Sequence, residues 1–369
     1  MRIIFVADDI DAVGGIQTAT HALAQRLALR GHHVHAVGLY RNPAPAVLPD
    51  RPIYQRTVLD APPPTAPPDP GQLRASKQRM QQILDAHPHV VLLMASVHAS
   101  LWLHDLYAGG HLRVGVYHGS YEYARTHYHL GVIRDLWPRF DAGVFLSRED
   151  AAGFAAHSRL HATWIPNPLP PPAAVDPAAL ARGCRGRVLA VGRLTPIKRF
   201  DLAITAFAHT NVSGWQLHLI GDGELSQALQ SLANHHAGRG GPEVVFRGRL
   251  PSTRMPAEYG AAHLLVVTSD HEGLPMVIAE AAAAGTPTVA FNISGGVRYL
   301  VRHDRTGLLV PPGDLNGLTR VLRALMTDPA RRRRLGQAAR AVAAELHPDT
   351  ITGRWERLLT RLAHDQEEV

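Results

Sequence analysis

Short runs of β-branched and aliphatic residues alternate with amphipathic helical stretches along nearly the whole chain, and that alternation is buried by βαβ units around a parallel sheet. Residues 2–7, 34–39, 90–94, 114–117 and 142–146 read as strands of one sheet, with helices over 16–30, 72–86 and 148–156. A second series of strands follows at 188–191, 216–220, 244–246, 264–267, 288–291 and 307–310. At 369 residues and 46% hydrophobic content the chain can fill two cores of roughly 150 residues each. The proline run in Ile165-Pro166-Asn167-Pro168-Leu169-Pro170-Pro171-Pro172 marks the boundary. This gives a first domain over 1–168 and a second over 169–347. A last helix within 348–369 carries Trp355, Leu358, Leu359 and Leu362 on one stripe, which packs back on the first domain. The stretch 42–70, with ten prolines, reads as a surface loop.

Composition excludes several classes. The single cysteine, Cys184, cannot close an internal disulfide, which suits a reducing compartment. No apolar stretch approaches the roughly 18 residues of a membrane span. The expectation is a soluble, cytoplasmic protein, with peripheral contact at the inner face of a membrane left open. The formal net charge is +7, and residues 171–369 hold 23 Lys/Arg against 18 Asp/Glu. A basic balance suits phosphate-bearing ligands, but no aromatic residue interleaves the run Arg331-Arg332-Arg333-Arg334, so nucleic acid is not expected as a partner. That run reads as a solvated helix face.

Four motifs stand where strands turn into helices, the edge at which doubly wound sheets bind ligands. Thr268-Ser269-Asp270-His271-Glu272-Gly273-Leu274-Pro275-Met276-Val277-Ile278-Ala279-Glu280 follows a strand, and Pro275 suits the first turn of the next helix. The free amides of Met276 and Val277 would then face an anion, and Glu272 and Glu280 could each accept from a pair of hydroxyls. In Gly192-Arg193-Leu194-Thr195-Pro196-Ile197-Lys198, Gly192 admits close approach of a ligand, while Arg193 and Lys198 supply two cations for a diphosphate. Gly14-Gly15 opens the first helix, although its spacing is not G-x-G-x-x-G. The segment after the second strand, Leu39-Tyr40-Arg41, offers no carboxylate for an adenosine ribose, against an NAD-binding first domain. His118 leaves a strand in Tyr117-His118-Gly119-Ser120, and Gly221 and Arg247 end two further strands where a base could lie.

Together these residues resemble the retaining glycosyltransferases of family 4. The resemblance implies the GT-B fold: α/β, with two Rossmann-like doubly wound parallel-sheet domains facing across a cleft. Glu272 and Glu280 match the family's E-x7-E, Arg193 and Lys198 its pyrophosphate pair, Gly14-Gly15 its first-loop glycines and His118 its cleft histidine. It implies transfer of a sugar from a nucleoside diphosphate donor, a uridine one being commoner, to an acceptor hydroxyl. His118, Arg193, Lys198 and Glu272 would carry the chemistry. Gly14, Gly15, Gly192, Gly221, Arg247, Gly273, Leu274, Met276, Val277 and Glu280 would hold the donor. In the front-face mechanism of such enzymes the departing phosphate takes the acceptor's proton, so neither metal nor cofactor is expected. Where relatives carry Pro and Glu after the Ser-Gly-Gly turn, Ser294-Gly295-Gly296 here runs into Val297-Arg298. Residues 117–125 resemble enzymes acting on polyol-phosphate polymers, and lipids or small metabolites are the other acceptor classes. The rival readings are a nucleotide-sugar epimerase of the same fold and a non-catalytic nucleotide-sugar binding protein.

Overall fold

In the computed structural model, which describes residues 1–12, 14–43, 52–63, 69–106, 110–169, 186–237 and 243–367, every strand pairing is parallel. Cys184 and prolines 170–172 lie outside the described residues. The chain divides into one unit of Met1–Pro170 with Pro348–Val369 and another of Pro171–His347.

The first sheet contains β1 (Arg2–Ala7), β2 (His33–Gly38), β3 (Gln55–Val58), β4 (Val91–Met94), β5 (Leu112–Tyr117), β6 (Ala142–Phe145) and β7 (Ala162–Trp164), in the order β3-β2-β1-β4-β5-β6-β7. Crossovers include α1 (Gly15–Leu29), α2 (Pro70–Asp85), α3 (Val97–Leu103), α4 (Tyr121–Arg125), α5 (His129–Leu136) and α6 (Arg148–Ala155). Ile4, Val6, Val37, Leu92 and Met94 are almost fully buried, as residues of a sheet covered on both faces must be. β3 corrects the expectation of a loop over 42–70. Its residues pair with β2 from His35↔Gln55 to Gly38↔Val58 at the sheet edge, where prolines can flank a strand without breaking a ladder.

The second sheet contains β8 (Gly186–Val191), β9 (Trp215–Ile220), β10 (Glu243–Phe246), β11 (Leu264–Val267), β12 (Thr288–Phe291) and β13 (Gly307–Val310), in the order β10-β9-β8-β11-β12-β13. Its helices are α7 (Phe200–His209), α8 (Ser226–Ala237), α9 (Met255–Ala261), α10 (Met276–Ala284), α11 (Gly295–Leu300), α12 (Leu315–Thr327) and α13 (Pro329–Glu345). The arginine run opens α13. Arg331 reaches Asp304 at 2.7 Å, and Arg332 lies 5.0 Å over the Trp215 ring, so both serve contacts inside this unit.

The last helix, α14 (Pro348–Glu367), belongs to the first unit. It buries Ile351, Trp355, Leu358, Leu359 and Leu362, pairs Glu356 with Arg30 at 2.6 Å, and sets Arg354 4.0 Å over the Trp164 ring. Among the described residues no helix is long and apolar enough to cross a membrane.

Candidate functional site

Strand order in the second unit reverses between β8 and β11, the kind of switch point beside which doubly wound sheets bind their ligands. Both diphosphate and carboxylate motifs leave those two strands. Thr268, buried at the end of β11, shares its hydroxyl between the carbonyls of Lys198 at 3.0 Å and Arg199 at 2.8 Å. The Asp270 amide donates to the Ile197 carbonyl at 2.9 Å. Arg199 bends the chain with a left-handed φ of 47° between the tight turn Pro196–Lys198 and α7. The two loops are thereby fastened to each other. Lys198 Nζ donates to Glu272 Oε1 at 2.5 Å, and the same oxygen accepts from Ser269 Oγ at 2.7 Å. The Glu272 side chain is only 13% exposed and that of Lys198 24%, so water weakens this pair less than it weakens a surface one.

Helix α10 begins one residue later than expected. Pro275 is its extended N-cap, which leaves the amides of Met276 and Val277 at the first two helical positions without intrahelical acceptors. They form the positive end of the helix beside the loop bearing Glu272. On the same helix Glu280 Oε2 accepts from the Tyr259 hydroxyl at 2.6 Å. Burial raises the Glu280 carboxyl above its ordinary range, and the tyrosine bond opposes that rise.

Two backbone approaches explain glycines here. A Cβ on Gly221, whose φ is 142°, would lie 1.9 Å from the Gly192 carbonyl oxygen, so the turns after β8 and β9 rest backbone on backbone. A Cβ on buried Gly296 would lie 1.8 Å from the Gly273 carbonyl oxygen. The Ser294-Gly295-Gly296 turn, capped by Ser294 Oγ on the Val297 amide at 3.2 Å, therefore supports the loop that presents Glu272. Gly296→Ala is expected to push that loop aside. Overpacking of this kind costs about 1–3 kcal/mol, on the order of 2–6 °C in the melting temperature, with at least a tenfold loss of turnover. A melt and steady-state kinetics on the variant check both numbers.

The remaining residues sort by their neighbours. Arg193 is exposed, and among the described residues its guanidinium has no ion-pair partner. Leu274 is buried. Arg247 is held at 3.0 Å by the buried Glu258 of α9, whose other oxygen takes Arg187 at 3.3 Å, and it approaches His218 at 3.4 Å.

In the first unit Gly14 caps α1 in an extended conformation, and Gln17 Nε2 donates to the Asp9 carbonyl at 2.9 Å across the loop. A Cβ on Gly15 would meet nothing within 4 Å, so packing does not demand that glycine. His118 directly follows β5, with its Nδ1 buried and unpartnered, and its ring hydrogen-bonds Asn167. Burial pushes His118 down to about 4, against the opposing Asn167 bond, so the ring is neutral at pH 7. It suits hydrogen bonding to a hydroxyl and not proton donation. The loop beyond it is anchored by the Tyr121 amide on Asp150 Oδ1 at 2.8 Å, and burial raises that aspartate to about 6.

Sequence reasoning missed Thr268 and Ser269 as fasteners, and also Tyr259, Asn167 and Asp150. Thr268 and Ser269 stood inside the motif, and their position at a strand end was the available signal.

Buried His218 is also pushed down to about 4, by desolvation first and then by Arg187 and Arg247. An unfolded chain binds this proton near pH 6.5, before the folded one does, so folding stability falls as pH drops from 6.5 towards 4. Asp150, raised to about 6, works in the opposite sense, so the informative comparison is with a variant. His218→Gln is expected to lose less stability than wild type over that window, as read from denaturant midpoints at pH 7, 5.5 and 4.5.

The family model described as Glycosyltransferase Family 4 matches residues 13–171, and that described as Glycosyl transferases group 1 matches residues 179–342. An exopolysaccharide phosphotransferase of Streptomyces coelicolor is 35% identical over 54% of this chain and 22% of its own length. A GDP-mannose-dependent alpha-(1-6)-phosphatidylinositol monomannoside mannosyltransferase of Mycobacterium tuberculosis is 32% identical over 51% of each chain. The chain thus spans about half or less of the length of these curated relatives. HepE of Anabaena, solved with UDP and glucose, superposes with a TM-score of 0.80 at 20% identity, over 98% of this chain and 99% of that one. That likeness establishes the GT-B fold. Two family models that between them cover most of the sequence, on a fold shared along nearly its full length, place this chain among the group 1 glycosyltransferases of family 4.

Proposed function

We propose that the chain moves a sugar from a nucleoside diphosphate sugar, uridine-based by first choice, to an acceptor hydroxyl with retention of configuration and without a metal. One observation carries this reading. Lys198 and Glu272 are held together at 2.5 Å at the switch point of the second sheet. A cation suited to a diphosphate and a carboxylate suited to sugar hydroxyls there serve as each other's partner, and a donor supplies a better partner to both. Arg193 adds a second cation, and the Met276 and Val277 amides add a positive helix end. Glu280 accepts from the ribose hydroxyls.

Fixed positive groups aimed at the leaving diphosphate stabilise charge as it develops, which a bound metal would otherwise do. The bond from the anomeric carbon to the phosphate oxygen breaks, the bond to the acceptor oxygen forms on the same face, and the acceptor's proton passes to the departing phosphate. The mannosyltransferase relative is named for GDP-mannose and HepE was solved with UDP, so the test carries both bases.

Purified protein is incubated with UDP- and GDP-sugars and an acceptor panel of polyol-phosphate polymer, lipid and small sugar, and product configuration is read by NMR. Retention, with activity unchanged in excess EDTA, is expected. Inversion of configuration, or activity lost in EDTA and restored by Mn²⁺ or Mg²⁺, contradicts the reading. Conversion of donor sugar with no acceptor present points instead to an epimerase.

A further inference from the structure

Tyr259 is nearly the least exposed aromatic side chain of the second unit, at 1%, and its hydroxyl belongs to no motif. It comes from α9, whereas Glu280 comes from α10. The hydroxyl donates to Glu280 Oε2 at 2.6 Å. Its own backbone is fixed in turn, because buried Thr286, just beyond α10, donates its Oγ1 to the Tyr259 carbonyl at 2.7 Å. The tyrosine is therefore a rigid post with its one polar atom aimed at one oxygen of one carboxylate. A free glutamate has three side-chain torsions to order before it can grip a ligand, and ordering it costs part of the binding gain.

We propose that Tyr259 is a positioning residue for donor recognition: by occupying Oε2 it locks the Glu280 carboxylate and leaves Oε1 presented to the hydroxyl pair of the donor's ribose. This deepens the reading above and rests on Glu280 being the ribose acceptor. It assigns to the Tyr259–Glu280 pair the ability to tell a ribonucleotide donor from its 2′-deoxy counterpart. A site with a fixed, buried acceptor discriminates strongly against a ligand lacking the matching hydroxyl, because the acceptor is then left unpaired.

The test measures Kd for UDP- or GDP-sugar and for the matching 2′-deoxy compound, on wild type, Tyr259→Phe, Glu280→Gln and the double variant, with melting curves for each. Wild type is expected to prefer the ribonucleotide. Tyr259→Phe should weaken the ribonucleotide about tenfold while leaving the 2′-deoxy compound nearly unchanged, since only the oriented contact is lost. In the Glu280→Gln background the same tyrosine change should add little, because the two residues act as a unit. A merely structural tyrosine would weaken both compounds alike.

If Tyr259→Phe keeps the full preference for ribose while Glu280→Gln loses it, the positioning role is overturned and the Glu280 reading survives. If Glu280→Gln keeps the preference, the reading on which the proposal rests falls, and the proposal with it. Should Tyr259→Phe not fold, Glu280→Asp retains the charge but withdraws it from the tyrosine. That variant should lose the preference too, and its full retention would again overturn the proposal.

Discussion

Lys198→Ala is expected to lower kcat by about 10²–10³-fold and to weaken binding of free nucleoside diphosphate, with an unchanged circular dichroism spectrum. The magnitude is that of removing one fixed group aimed at charge that develops in the transition state. The fold should survive because Lys198 is not a core packer. Its stem crosses Gly192, where a Cβ would come within 3.5 Å of Lys198 Cε, and among the described residues its ion-pair partner is Glu272. Loss of a partly exposed pair of this kind costs about 1 kcal/mol or less. Glu272 keeps the Ser269 hydroxyl, so no carboxylate is stranded. Stopped-assay kinetics and calorimetry with UDP and GDP check both halves. Unchanged nucleotide affinity and turnover together would remove Lys198 from the diphosphate site.

Glu272→Gln should behave differently, and the contrast is sharper than either result alone. The carboxylate that competes with the diphosphate for Lys198 is gone, so free UDP or GDP should bind as tightly as to wild type or a few-fold tighter. Turnover should nevertheless fall about 100-fold, because the acceptor for the sugar's hydroxyls has lost its charge and charged hydrogen bonds are the stronger ones. Nucleotide affinity held or raised while the rate falls is a signature that unfolding cannot produce. A variant that loses nucleotide affinity in step with turnover would mean that Glu272 supports the fold of the loop and not the sugar.

Much of the architecture was legible because burial on both faces writes itself into strands as short aliphatic runs. Leu264–Val267, Thr288–Phe291 and Gly307–Val310 came out with their bounds intact, each bracketed by turn residues. β3 was hidden for the opposite reason: Gln55–Val58 is a half-exposed edge strand with no apolar run, set among prolines. In the site, Lys198 and Glu272 were each singled out on strand-to-helix motifs, which a doubly wound sheet brings to one edge, but the ion pair between them was not read from the sequence. Tyr259 could not be read in this way. It lies 21 residues before Glu280 and meets it only through the packing of α9 on α10, for which neither local spacing nor periodicity gives a sign. Asn167 was read as part of a proline-stiffened boundary, and its contact with His118 depends on β7 lying beside β6 and β6 beside β5. The Ser-Gly-Gly turn drew attention as a departure from the family pattern. Its work is steric: Gly296 makes room for the Gly273 carbonyl.

A crystal structure of the protein with a nucleoside diphosphate sugar tests the central claim most directly. The expected result is a diphosphate within about 3 Å of Lys198 Nζ at the ends of β8 and β11, with Glu272 released to the sugar. A nucleotide bound elsewhere, with the Lys198–Glu272 pair still closed, would contradict it.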